Sequence, residues 1–137
     1  MFEFFSYSSR DVIDELKPHA ILLRHAHMGT EHLLLGITKS NAPLAQLMGV
    51  TYTQVLTSIT ETIGYGSPPQ SVIGWRPFTP ELTRVIEESL CVMRAHRHFP
   101  LTPLHLLQSM LAQDSAPTRV YLRHAGADVD ELLRRLE

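Results

Sequence analysis

Eight histidines in 137 residues are the first candidates for chemistry. Six of them form two sets, His25-x-His27 with His32 and His96-x-His98 with His105. Imidazole is a common metal ligand, so these sets raise a metal-binding or metal-sensing reading. Against it stand a single cysteine and few acids near either set, and no metal is expected. That cysteine, Cys91, lies among Leu90, Val92 and Met93 in a helical stretch, which predicts a small buried thiol rather than a nucleophile. No nucleophile elbow supports Ser/His/Asp catalysis. No Gly-x-x-x-x-Gly-Lys-[Ser/Thr] occurs, and neither Lys17 nor Lys39 follows a glycine, so these residues hold no phosphate-cradling loop. No catalytic residue and no cofactor is assigned; binding is the chemistry left.

Composition narrows the partner. A net charge of −2 predicts no basic face for nucleic acid and no polybasic patch for a membrane surface. One cysteine leaves no internal disulfide framework and suits a reducing cytosol. The apolar N-terminus carries Glu3 and no basic segment, unlike a signal peptide, and no apolar run approaches the roughly 18 residues of a membrane span. A soluble cytoplasmic domain is expected.

The elements that must position these residues come in duplicate. Phe5-Ser6 returns as Phe78-Thr79, Val12-Ile13 as Val85-Ile86, His25 as His98, and His32-Leu33-Leu34 as His105-Leu106-Leu107, each 73 residues on. Farther along the offset becomes 77, since Gly49-Val50-Thr51 aligns with Gly126-Ala127-Asp128. Each repeat reads as four helices, which predicts an all-α fold of two pseudo-twofold halves: 1–64, a linker over 65–77 rich in Gly and Pro, and 78–137. In the first helix apolar positions 12, 13, 16, 20 and 23 make one stripe, interrupted by Pro18, where a kink or early break is expected. Thr30 is the expected cap of the second helix, with Glu31 in its first turn where a carboxylate suits the dipole. Thr51-x-x-Gln54 and Asp128-x-x-Glu131 read as capping boxes, and Thr79-Pro80 and Thr102-Pro103 as helix starts.

Phe5-Ser6 opening a helix, the string His25-Ala-His-Met-Gly-Thr-Glu-His-Leu-Leu-Leu-Gly36, and Leu47-Met-Gly-Val50 together resemble the Clp N-terminal repeat. That repeat stands at the head of ClpC, ClpA and ClpB unfoldases. The linker ending in Pro77-Phe78-Thr79 and the Leu122-x-x-Ala-Gly-Ala127 segment look most like ClpC. The resemblance covers nearly the whole chain twice, without an ATPase, as in a fragment of an unfoldase or a free-standing paralogue. It implies a recognition module for Clp substrates and adaptor proteins, for the ClpC-type unfoldase itself, and for cyclic-peptide antibiotics. It further implies phosphoarginine sites in which the Glu of Gly-Thr-Glu-His faces the guanidinium, while backbone amides and a nearby hydroxyl hold the phosphate. Carried onto this sequence, the first site uses Glu31, Thr30 and Ser6. The second has Thr79 but only Leu104 in place of the acid, and is expected to be silent. His32 and His105 fall where the family places a buried imidazole that organises the turn. Phe5 and Phe78 are expected between the halves; Phe2, Phe4 and Phe78 are the candidate peptide-docking surface, and Trp75 a lid or anchor.

Overall fold

The structure, a computed structural model, describes residues 2–67, 76–113 and 117–136. Among them a 3-10 turn, Phe2–Phe4, precedes the α-helices α1 Tyr7–Asp14, α2 Leu16–Leu22, α3 Thr30–Ser40, α4 Ala42–Met48, α5 Tyr52–Thr62, α6 Pro80–His96, α7 Pro103–Ala112, α8 Thr118–His124 and α9 Val129–Arg135. No strand occurs among the described residues, and the fold is all-α as the periodicity requires. Most of the linker expected over 65–77, Trp75 included, lies outside the described residues.

The first helix breaks one turn before its proline, a position compatible with the ring. A prolyl ring clashes with the carbonyl four residues back, and for Pro18 that residue is Asp14, the last of α1. The second repeat has Cys91 at the matching position, and α6 runs unbroken over 17 residues. Cys91 is exposed, which corrects the expected buried thiol: the buried face of α6 takes Leu82, Val85, Ile86, Ser89, Leu90 and Met93, and position 91 points off it.

At the centre lies α3, whose residues Thr30 and His32 to Thr38 are all buried. It packs against α1, α2, α4 and α5 of its own repeat and α6, α7 and α8 of the other. Such all-round burial is open only to a helix apolar on every face, which Leu33, Leu34, Leu35 and Ile37 provide.

The two repeats are stitched crosswise. Phe5 bridges to Leu101 and Met28 to Phe78, two short parallel pairings whose members exchange under the 73-residue offset. Their hydrogen bonds match as well: Ser6 N–H to Leu101 C=O at 2.9 Å and Leu101 N–H to Phe4 C=O at 2.8 Å in one, Thr79 N–H to Met28 C=O at 2.9 Å and Met28 N–H to Pro77 C=O at 2.8 Å in the other. Each crossing sets the start of one repeat's first helix against the start of the other repeat's second. Phe5 is buried there and Phe78 half-buried.

Candidate functional site

The Met28–Phe78 crossing brings the N-terminus of α3 beside that of α6. Between them opens a cavity of about 460 Å³ lined by Arg24, His25, His27, Glu31, Ser67 and Thr79, among others. Gly29 caps α3, and a Cβ there would lie 2.6 Å from a Glu31 carboxylate oxygen; its missing side chain lets the Glu31 carboxylate fold back over the helix start. Thr79 caps α6, its Oγ1 accepting from the Leu82 N–H at 3.1 Å, which leaves the hydroxyl proton free to donate.

Two imidazoles hold the wall in one protonation pattern. Gly29 N–H donates to His32 Nδ1 at 2.8 Å, so in the neutral ring the proton sits on Nε2. That Nε2–H donates to His25 Nδ1 at 2.8 Å, and His25 Nε2–H donates to the Gly64 carbonyl at 3.0 Å. Burial, with His25 and His19 nearby, pushes the His32 pKa down to about 3. Burial also raises the pKa of Glu31, opposed by its own backbone N–H and by His25, while Glu81 pushes the same way as burial.

This relay decides the metal question against the His-x-His reading. His25, Glu31 and His32 offer ligand atoms within 4.8 Å of one another. Yet a neutral imidazole ligand must present a lone pair, and the lone pairs of His32 and His25 already accept hydrogen bonds. His105 is committed in the same way, its Nδ1 accepting from Thr102 N–H at 2.9 Å. His27 is exposed on the cavity rim, outside the cluster. The first donor set does not fit a metal, and among the described residues His96, His98 and His105 do not bring three ligand atoms together.

The crossing also regroups the residues expected in each site. Glu31 meets Thr79 of the other repeat rather than Thr30 and Ser6 of its own. Thr30 is the first residue of α3 rather than its cap and is buried at 3% exposure, away from the cavity, because Gly29 with His32 closes the helix end. Ser6 sits at the other crossing, where its Oγ accepts from the Ser9 N–H at 3.1 Å, beside Leu101 and the start of α7 that carries Leu104. Here the chemistry is apolar. Leu104, Phe4 and Phe99 are exposed, the Phe4 and Phe99 rings lie 6.1 Å apart, and the Arg94 guanidinium sits over Phe4. The expected aromatic surface is thereby split: Phe2 packs edge-on to Phe5 and Phe78, while Phe4 faces Phe99. With Phe5, Arg10 and Ile13, Phe2 lines a separate groove of about 450 Å³.

Residues 4–95 and 77–137 each match the family described as the Clp repeat (R) N-terminal domain. The chain belongs to that family. Among its Clp-repeat relatives, the ATP-binding subunit ClpC of the ATP-dependent Clp protease from Staphylococcus aureus (strain USA300) is 30% identical over 107 residues, or 75% of this chain. The chain spans 13% of that subunit's length. The N-terminal domain of the chaperone ClpD from Arabidopsis thaliana superposes with a TM-score of 0.83 at 21% identity, over 99% of this chain and 96% of that one. The Hsp104 N-terminal domain from Candida albicans gives 0.76 at 14% identity, over 98% and 89%. These two establish the fold alone.

Among the residues that line this cavity, Arg24, Ile63, Gly66 and Ser67 are not marked as candidates by the sequence. Arg24 had a signal. Arg24 and Arg97, equivalent under the offset, both hold left-handed φ angles, 59° and 55°, and both end a first-helix segment.

Proposed function

We propose that this chain is a non-enzymatic, cytoplasmic recognition module of the Clp protease system, docking degradation substrates or adaptor proteins, and that its Glu31–Thr79 cavity receives an arginine phosphorylated on its guanidinium. The observation that carries this reading is a half-hidden carboxylate facing a capped helix N-terminus across one cavity. A guanidinium fork matches the Glu31 carboxylate, and a cation gains more from a carboxylate that burial has already stripped of water. The phosphate then takes the Thr79 hydroxyl, the Glu81 N–H, which as a first-turn group has no acceptor within α6, and Arg24 on the rim. Leu104 leaves the second crossing without an acid, so one such site is expected per chain. The Phe2 groove is the place we assign to peptide docking, cyclic-peptide antibiotics included.

Isothermal titration of free phosphoarginine, with arginine as control, tests the cavity. One site in the wild type, weakened about tenfold or more in Glu31→Gln, is the expected result; no heat in either protein sinks the phospho-reader role and leaves adaptor or unfoldase docking. A chain carrying only this module would also act as an accessory or decoy of ClpC. That idea fails if the added chain changes neither ClpC-dependent degradation nor antibiotic sensitivity.

A further inference from the structure

We propose that the Glu31–Thr79 cavity reads its ligand in sequence context: an apolar residue one or two positions from the phosphoarginine docks on a ledge that Ile63 and Tyr65 form at the cavity mouth. The partner is then an unfolded polypeptide segment that carries the modified arginine among apolar neighbours. This inference rests on the phosphoarginine reading and deepens it.

The ledge is built by the chain that leaves α5. Gly64 C=O accepts from His25 Nε2–H at 3.0 Å, and Gly66 N–H donates to Leu23 C=O at 2.9 Å. The two bonds pin this strap against the end of α2. No side chain fits beneath it at 66, where a Cβ would stand 2.2 Å from the Arg24 carbonyl oxygen. Tyr65, between the two pinned glycines, turns outward and is 64% exposed; Ile63 is 46% exposed. Ile63, Gly66 and Ser67 all line the cavity, so the Tyr65 ring stands beside its mouth.

Large apolar side chains exposed singly are ordinary, but these are grouped. Of the nine exposed large hydrophobics among the described residues, Ile21, Leu22, Ile63 and Tyr65 belong to the last turn of α2 and the strap pinned to it. The modified arginine itself does not use them. Its apolar part is a methylene stem that enters the cavity, with the guanidinium toward Glu31 and the phosphate toward Thr79. What stands outside, over the ledge, is the ligand's own main chain and its neighbours. An extended chain advances about 3.3–3.6 Å per residue, so only the adjacent one or two positions reach a ring beside the mouth. A leucine there loses water against Ile63 and Tyr65, whereas a glycine leaves the ledge bare. Such a site selects unfolded chains, because a folded protein keeps arginine outside and most often buries its large apolar side chains.

The test is isothermal titration of the whole chain with free phosphoarginine, with capped peptides that carry phosphoarginine between glycines or between leucines, and with the leucine peptide lacking its phosphate. The leucine phosphopeptide should bind about tenfold more tightly than the glycine one, and about tenfold or more above its unphosphorylated form. Tyr65→Ser should cut the leucine preference to under about threefold and leave free phosphoarginine binding unchanged, while Tyr65→Phe keeps the preference. Equal binding of the two phosphopeptides overturns the inference and leaves the cavity a reader of the modified arginine alone. A leucine preference that survives in Tyr65→Ser, or a leucine peptide that binds equally well without its phosphate, overturns it too. If free phosphoarginine and both phosphopeptides all fail to bind, the cavity reading itself falls, and this inference with it.

Discussion

The two crossings share a backbone and differ in what fills it. Both begin a first helix with a hydroxyl cap, Ser6 or Thr79, and a second with a histidine accepting from the cap N–H, His32 or His105. At one, Gly29 and Glu31 make a polar cavity; at the other, Thr102 and Leu104 stand in their places among Phe4 and Phe99. Duplication therefore kept the elements that close the helices and let the groups facing a ligand drift. The histidines follow the same division: His32 is fully buried behind Gly64 and its neighbours, while His105 opens onto a groove.

That contrast is broken most forcefully with acid. Unfolded, His32 takes up a proton near 6.5; folded, it does so only near about 3. Between these values only the unfolded chain binds the proton, so the contribution is whole above pH 6.5 and disappears as pH falls toward 3. The loss is on the order of 4 kcal/mol, visible as a falling urea midpoint. In His32→Ala this acid limb should flatten; if it persists unchanged, other groups cause it.

Next in size is truncation at neutral pH. His32→Ala strands the buried Gly29 N–H, removes the donor to His25 Nδ1 and leaves a void in the core, and should cost about 3 kcal/mol. His105→Ala loses a cap that water can replace, about 1 kcal/mol. Equal costs by denaturation would mean that the second groove is closed in solution.

Much of this was legible in the residues. The helices and the duplication showed because the core stripe and most cap residues obey local rules; of positions 12, 13, 16, 20 and 23, read as one stripe, Val12, Leu16, Ala20 and Leu23 are fully buried and Ile13 partly so. The site was only half legible. The family string marks Glu31 as a site residue, yet the same resemblance groups it with Ser6 and Thr30 of its own repeat. Thr79 joins it through a pairing between residues 28 and 78, and nothing local in either repeat records which partner is chosen. Cys91 departs from expectation for a related reason: its apolar neighbours in sequence do not all share its helix face, and it is exposed.

A smaller effect sharpens the comparison at the ligand face. Leu104→Glu restores the acid at the second crossing and should raise phosphoarginine stoichiometry from one to two, the new site about tenfold weaker because Phe99 stands where Ala26 lines the first cavity. If stoichiometry stays at one, the aromatic pair silences the crossing and Leu104 is secondary.

The smallest effect concerns the break between α1 and α2, which α6 lacks. Pro18 is the third residue of α2, and a first-turn N–H has no partner within that helix, so the proline costs little where it stands. Tight packing holds the break as well: a Cβ on Gly36 of α3 would lie 2.9 Å from the Val12 carbonyl, the same carbonyl that accepts from Glu15 N–H at the break. Pro18→Ala should therefore leave the break in place and lower stability by under about 1 kcal/mol, through a freer unfolded chain. A gain of more than about 1 kcal/mol in the urea midpoint analysis would mean the opposite: that the proline imposes the break, and that the first repeat would otherwise build one straight helix like α6.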